Sequence, residues 1–498
     1  MTTHAVPLRF SEEVPRGLPI GEDWVETAST DAINEVWTQH LLTEVAQGTE
    51  AMATTAMDAA EGHRVTFAQT NAHTRKSLIR ACAAKLADRS DDLVDLLISE
   101  TGKPRKDCRT EVNRTLSCWE AAAEEVGRDQ GELVPVDLQP GGEDMVAWYR
   151  EVPLGVVVGI SGFNYPLLLA SHKVAPALTV GAPVVLKPAP TAPLSVLWLT
   201  AIIREALHEN GLARGIVQCT TGGPEVGQAL VSDARAAVVS FTGSAAVGHT
   251  IAASAAPRKA VLELGSNAAM IVTGSADLDE VVEAVVRGGF YANGQACIAV
   301  QRLIVLDDVD ASFEERLREA VSGVRVGDPR FEETDVAALI NNASRDRVLG
   351  QIEDALRQGA SVLAEAPISS DLVQTPGSLV TPQVLVDVPD GHLLWDEEIF
   401  APVVCLRRVG DFDEAIRVAN DSRYGLQASI YTSDLAQAYA AIDTLEVGGV
   451  VVNQVPGFRS DVMPYGGVKD SGVGREGPRW AASEYTTTRM ALVRVPKV

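Results

Sequence analysis

Between Leu154 and Ser254, four short and almost wholly aliphatic runs alternate with four longer helical stretches, and few folds accept that pattern. The runs are Val156-Val157-Val158-Gly159-Ile160, Val184-Val185-Leu186-Lys187, Ile216-Val217-Gln218-Cys219 and Ala237-Val238-Val239-Ser240-Phe241. A strand apolar at every position has no solvent side, so it belongs in a parallel sheet covered on both faces. Parallel neighbours need crossover connections, and residues 163–178, 194–208, 224–231 and 245–254 supply them as helices. The expectation is a doubly wound α/β sheet, which binds its ligand beyond the carboxyl ends of the strands. After Glu263 the alternation resumes with Ala269-Met270-Ile271-Val272, Arg302 to Leu306, Val403-Val404-Cys405-Leu406 and Val450-Val451-Val452-Asn453, with helices around Val281 to Gly288 and Glu414 to Asn420. A second α/β domain, roughly 263–470, is therefore expected face to face with the first, with a cleft between them.

The chain of 498 residues is long enough for two or three such cores. At 46% apolar and 22% charged it has the composition of a globular enzyme and not of a disordered chain. A formal charge of −25 disfavours nucleic acid and anionic membrane as partners, so any anionic ligand needs a local basic pocket. The apolar region from Leu154 to Leu186 is broken by His172, Lys173, glycines and prolines and cannot span a membrane; the first residues carry no signal-like apolar run. The six cysteines (Cys82, Cys108, Cys118, Cys219, Cys297 and Cys405) form no CxxC pair, so neither a disulfide framework nor a metal site is expected, and reduced thiols in a cytoplasmic setting are.

Residues 1 to about 60 read as an irregular lead and a helix. Two amphipathic helices follow between Thr74 and Leu97, the second capped by Ser90 and ended by Gly102 and Pro104; another holds Arg109, Arg114 and Trp119. Leu133 to Val136 and Met145 to Val152 read as strands around a Gly141-Gly142 turn, and Ala491 to Val495 as a strand stopped by Pro496. Lying outside the main pattern, these strands pair with each other or with another subunit.

Chemistry concentrates at Phe290-Tyr291-Ala292-Asn293-Gly294-Gln295-Ala296-Cys297. A thiol placed after an Asn-Gly-Gln turn can stand clear of its own backbone and attack a bound carbonyl. At Phe241-Thr242-Gly243-Ser244-Ala245 a strand turns into a helix. There Gly243 lets the backbone approach a phosphate, and Ser244 caps a helix whose N-terminus favours anions. The GxGxxG fingerprint is absent from this region.

The FxxxGQxCxxxxR pattern around Cys297 lies 34 positions after Glu263, itself within Leu262-Glu263-Leu264-Gly265-Ser266-Asn267. Together the two stretches resemble the paired signatures of the aldehyde dehydrogenase superfamily. The resemblance runs from about Thr74 to the end and includes Ser161-Gly162-Phe163-Asn164-Tyr165-Pro166, Lys187-Pro188, Glu398-Ile399-Phe400 and Ser471 to Glu476. It implies an aldehyde dehydrogenase-like α/β fold of two doubly wound parallel-sheet domains plus a small β oligomerisation arm. On that reading 1–132 and 154–262 form a Rossmann-like cofactor domain, 263–470 the catalytic domain, and 133–153 with 479–498 the arm of a homo-oligomer. It also implies Cys297 as nucleophile, Glu263 as general base for thioester hydrolysis and Asn164 as an oxyanion donor. NAD or NADP would be held by Ser161, Gly162, Phe163, Lys187, Pro190, Gly223, Phe241, Gly243, Ser244, Leu264, Glu398 and Phe400. Pro190 stands where many relatives carry a Glu that repels a 2′-phosphate, so NAD is the default and NADP use is expected too.

Two further stretches, Ala170 to Ala177 and Phe458 to Pro464, are similar to a branch that oxidises small anionic aldehydes. That similarity implies Arg114, His172 and Arg459 at the aldehyde entrance, since planar guanidinium groups suit carboxylates and phosphonates. The alternatives are a general aldehyde dehydrogenase, a coenzyme A-acylating relative (which commonly lacks the base that Glu263 supplies), and a non-catalytic protein on the same fold.

Overall fold

Leu262 is the penultimate residue of a strand whose position organises the molecule. The computed structural model describes residues 6–128, 131–369, 372 and 377–495. The strand Lys259–Glu263 joins a six-stranded sheet with the order Gly472–Val473, Lys259–Glu263, Ala236–Thr242, Val156–Ile160, Val184–Lys187, Val217–Cys219. All neighbours are parallel except the outermost two-residue strand, which runs antiparallel to Lys259–Glu263. Three of the four aliphatic runs are buried at every position and the fourth at all but Ala237, as strands covered by helices on both faces must be. The crossovers are the helices Pro166–Val180, Leu194–Glu209, Pro224–Ser232 and Ala245–Ala255.

A seven-stranded sheet follows, in the order Ser361–Glu365, Gln383–Val386, Val403–Val409, Arg302–Leu306, Ala269–Val272, Gln427–Tyr431, Gly449–Val452. It is parallel except where Ser361–Glu365 pairs with Gln383–Val386. The two sheets carry separate apolar cores, one centred on Val157, Leu168 and Val185, the other on Ile271, Ile304 and Val404.

Several details depart from the sequence reading. The irregular lead contains two antiparallel hairpins, Leu18–Ile20 with Asp23–Val25 and Thr30–Asn34 with Leu41–Ala46, before the helix Glu50–Ala68. Ser90 does not cap its helix: its hydroxyl donates backward to Ala87 O at 2.8 Å. Gly102 does end that helix, at φ 71°. Of the two pairings open to the outlying strands, the chain uses its own: Thr486–Arg494 lies antiparallel along Met145–Pro153, with Leu133–Val134 on the far side. Pro496, expected to stop the last strand, lies outside the described residues. No described helix is long and apolar enough to cross a membrane.

Candidate active site

The helix Leu278–Phe290 runs into a turn in which Ala292 (φ 50°), Asn293 (φ 59°) and Gly294 (φ 67°) are all left-handed. Only glycine adopts that region without cost, so the first two must be held there. Asp107 accepts from Ala292 N–H at 2.9 Å. The Asn293 amide donates to Gly102 O (3.0 Å) and Ala338 O (2.8 Å) and accepts from Ala337 N–H (2.7 Å). At Gly294 a Cβ would fall 2.2 Å from the Ala401 carbonyl carbon, so no side chain fits. Gln295 adds a bond from Ile340 N–H to its side-chain oxygen at 3.0 Å. So braced, the turn lifts Cys297 into a cavity of about 540 Å³, while the other five cysteines are buried within the fold.

Glu263 and Asn164 reach the same cavity from the first sheet. Glu263 is the last residue of its strand, and neither of its carboxylate oxygens has a hydrogen-bond partner. Burial, reinforced by the nearby charge of Glu476, pushes its carboxyl well above the ordinary range. Asn164 precedes the helix Pro166–Val180, whose first N–H groups donate to buried Glu111 (Leu167 N–H at 3.0 Å, Leu168 N–H at 3.2 Å). The Asn164 amide donates to Gln295 O at 2.9 Å, which ties it to the cysteine turn and leaves its second N–H proton for a ligand. Burial pushes the Cys297 thiol up to about 12. The cavity therefore opposes charge on both the Cys297 thiol and the Glu263 carboxyl.

The three basic residues form one network with two acids. Asp461 accepts from Arg114 through Nε (3.1 Å) and NH2 (2.9 Å), and His172 Nε2 lies 2.9 Å from the same carboxylate. Burial alone would raise Asp461, but His172 and Arg114 outweigh it and hold the carboxyl well below the usual range. Glu476 is likewise held low against its burial by Lys173, His172 and Arg459; Lys173 Nζ is 2.9 Å away and Arg459 NH2 3.4 Å. Arg114 and Arg459 line the cavity beside Cys297. His172 does not: it is 1% exposed and sits behind them, between Asp461 and Arg459. Its ring is occupied by the network and does not face the cavity. The Arg459 side chain, 5% exposed, has a buried Nε that makes no hydrogen bond and lies 4.0 Å from Asp461.

Of the expected cofactor residues, Gly162, Phe163, Gly243, Ser244, Leu264, Glu398 and Phe400 share this cavity. Phe163 and Phe400 meet edge to face at 5.8 Å, and Glu398 accepts from Ser266 N–H at 3.0 Å. Burial pushes Glu398 up to about 7, against the opposing effects of Ser266 N–H and Arg347. Ser161, Lys187, Pro190, Gly223 and Phe241 lie at or beyond the strand ends outside that cavity. Phe241 is buried in its strand, and Pro190 is exposed in the turn before Leu194–Glu209. Ser244 occupies the N-cap position of Ala245–Ala255, but its side chain makes no capping bond. The first-turn N–H groups are thereby left for an anion beside Gly243, which suits a pyrophosphate. Lys187 is buried, and burial lowers its amine, partly offset by the charge of Glu225. Gly223 precedes the helix that carries Glu225, and its N–H donates to that carboxylate at 3.1 Å.

Sequence reasoning gave no role to Lys173, Asp461 or Tyr465. Lys173 and Asp461 lay within the two stretches that resemble the anion-handling branch, yet their partners are far away in the chain. Tyr465 follows a proline and precedes two glycines, which reads as loop.

The chain matches the family model "Aldehyde dehydrogenase family" over residues 24–491. It is 35% identical to a 3-sulfolactaldehyde dehydrogenase of Priestia aryabhattai, over 96% of this chain and 98% of that one. It is 37% identical to aspartate-semialdehyde dehydrogenase 1 of Pseudomonas canavaninivorans, over 85% and 88%. Among solved structures it resembles aldehyde dehydrogenase 21 of Physcomitrella patens, in complex with the reaction product succinate (34% identity, 96% and 98% coverage, TM-score 0.90). A glyceraldehyde-3-phosphate dehydrogenase of Methanocaldococcus jannaschii complexed with NADP matches at 32% identity, 94% and 100% coverage and TM-score 0.88. A betaine aldehyde dehydrogenase of Staphylococcus aureus with NAD⁺ matches at 28%, 99% and 97%, and 0.92. Both signatures, the paired sheets and the cavity that joins them therefore have one source: this chain belongs to the aldehyde dehydrogenase family.

Proposed function

We propose that this protein oxidises a small aldehyde bearing an acidic group to the carboxylic acid, using NAD or NADP. The observation that carries the reading is the meeting of Cys297, an unpartnered Glu263 carboxyl and the Asn164 amide in one cavity with Arg459. Cys297 as thiolate adds to the aldehyde carbon, and the Asn164 N–H with the Cys297 backbone N–H takes the oxyanion. When bound, the nicotinamide removes the two electrons that turn the adduct into a thioester. Glu263 then takes a proton from the water that attacks the thioester, releasing the acid and restoring the thiol. The six-stranded sheet forms the cofactor unit and the seven-stranded sheet the catalytic unit in this reading, with the expected boundaries at 132, 154 and 263. The three-stranded arm supports a homo-oligomer, since Leu133, Trp148 and Leu492 are exposed upon it.

The relatives named for sulfolactaldehyde and aspartate semialdehyde act on anionic aldehydes, and the arginine network suits such a group. Arg114 is neutralised by Asp461 and Lys173 by Glu476, whereas Arg459, which lines the cavity, holds the same two acids only at 3.4 Å (Glu476) and 4.0 Å (Asp461) and is the most loosely paired of the three cations. A charge-assisted hydrogen bond contributes about 1.5–3 kcal/mol, or roughly ten- to a hundredfold in affinity. Arg459→Gln should raise KM for sulfolactaldehyde, succinate semialdehyde and phosphonoacetaldehyde by that factor relative to any change it causes for propanal. Steady-state kinetics on that panel decide the matter: a wild-type preference for propanal or benzaldehyde that survives the substitution points to a general aldehyde dehydrogenase.

Both nicotinamide cofactors should work, because Pro190 brings no carboxylate against a 2′-phosphate. Glu225, whose charge acts on Lys187 from the neighbouring helix, opposes that phosphate from another side. Glu225→Gln should improve NADP use about tenfold relative to NAD, the effect of one charge at a partly wet site. Competition between the two cofactors, followed as binding constants and as kcat/KM, checks it; an unchanged ratio removes Glu225 from selectivity.

A further inference from the structure

The side-chain hydrogen bond at Cys297 is to Tyr465, with Sγ 3.3 Å from the phenol oxygen. That phenol cannot swing away. Tyr465 N–H donates to Glu476 O at 3.1 Å, and Tyr465 O accepts from Glu476 N–H at 2.7 Å. The ring is buried against Ile298 and Leu426. Its face carries the Arg459 guanidinium 3.6 Å from the centroid. We propose that Tyr465 is a further catalytic residue, donating its O–H to the Cys297 thiolate and so favouring formation of the nucleophile. The proposal rests on the reading of Cys297 as nucleophile.

The direction of the bond follows from the protons available. While sulfur is a thiol, either partner can donate. A thiolate has no proton to give, so the phenol becomes the donor of the pair. A charge-assisted O–H to thiolate bond is stronger than a neutral contact with a thiol, so the pair shifts the equilibrium toward the anion. Burial holds the Tyr465 phenol well above its ordinary ionisation, and it keeps that proton through the working range. Arg459 over the ring face polarises the phenol in the same sense. The other groups that face the sulfur are Glu263 and Glu398, which oppose its charge, and the phenol of Tyr291. Tyr465→Phe would keep the packing and the stacked arginine and lose the donor alone.

The test is the rate of iodoacetamide labelling of Cys297 against pH in the full chain without cofactor or aldehyde, for wild type, Tyr465→Phe and Cys297→Ser. In Tyr465→Phe the apparent thiol ionisation should rise by about one unit, making labelling about tenfold slower throughout the neutral and mildly alkaline range. An unchanged profile overturns the proposal. Labelling that persists in Cys297→Ser would instead fault the choice of nucleophile, so the two failures are distinct. If Tyr465→Phe melts too early to assay, ζ-¹³C-tyrosine resonances of the wild type take its place. One of the eight tyrosines should titrate together with Cys297 and stop doing so in Cys297→Ser; if none does, the proposal is wrong.

Discussion

Cys297→Ser is expected to lose aldehyde-dependent reduction of the nicotinamide by roughly 10³-fold or more, the scale seen when a covalent nucleophile is removed. The substitution changes one atom at the tip of a turn whose geometry is set elsewhere. Asp107, Asn293, Gly294 and Gln295 brace the backbone, and none of their bonds involves the sulfur. Thermal melting and cofactor binding, followed by tryptophan fluorescence, should therefore match wild type while turnover disappears. A serine variant with near-wild-type turnover would remove Cys297 from the chemistry and with it the thioester route. Loss of turnover together with a large fall in melting temperature would mean that the sulfur is a packing element, contrary to its place on the cavity wall.

Glu263→Gln should separate the two halves of the reaction. The amide keeps the shape but cannot accept a proton from water, so the acyl-enzyme forms and then hydrolyses about 10²–10⁴-fold more slowly. Rapid mixing with saturating aldehyde should give a burst of one reduced nicotinamide per site and a slow phase; loss of the burst would place Glu263 before the oxidation step. The acid limb of the wild-type rate also has a definite sign. Burial and the charge of Glu476 raise the Glu263 carboxyl, and only its ionised form is a base. As pH falls, hydrolysis should therefore fail at a pH above the range of an ordinary glutamate, and an acid limb near pH 4 would contradict the role. In Glu263→Gln that limb should vanish from the slow phase.

The parts of the fold that could be read directly are those in which burial on both faces leaves a continuous aliphatic run. Val156–Ile160 and Arg302–Leu306 are such strands, and both lie at the centres of their sheets. The first fifty residues concealed their hairpins because strands such as Thr30–Asn34 are short, mostly exposed and without that pattern. Lys259–Glu263 escaped notice for another reason: its sequence reads equally well as a catalytic signature, and the strand ends on the acid itself. At the site, Cys297, Glu263 and Asn164 were legible because each lies in a local motif. The charge network was not, since its acids answer bases hundreds of positions away, as Asp461 does Arg114 at a separation of 347. His172 shows the limit most clearly. Its segment gave the right neighbourhood, but only the fold could show that the ring faces Asp461 and not the cavity.

The antiparallel pairing of Gly472–Val473 with Lys259–Glu263 has a consequence for the order in which the enzyme comes into being. A ribosome delivers all five parallel strands of the first sheet by residue 263, and they can settle as soon as they emerge. The outer edge beside Glu263 must wait for the chain's last tenth, where Ser471 Oγ donates to Gly265 O at 2.7 Å over a sequence separation of 206. Arg459, Tyr465 and Glu476 arrive with that same segment. Until then the nascent chain carries its thiol and its base without the charges that tune them. Contacts of such long sequence separation form slowly, so competence should lag behind the bulk of secondary structure during refolding as well. The reactive centre is thus among the last parts of this chain to be completed, and the Cys297 thiol gains its hydrogen-bond partner only once nearly the whole chain has been made.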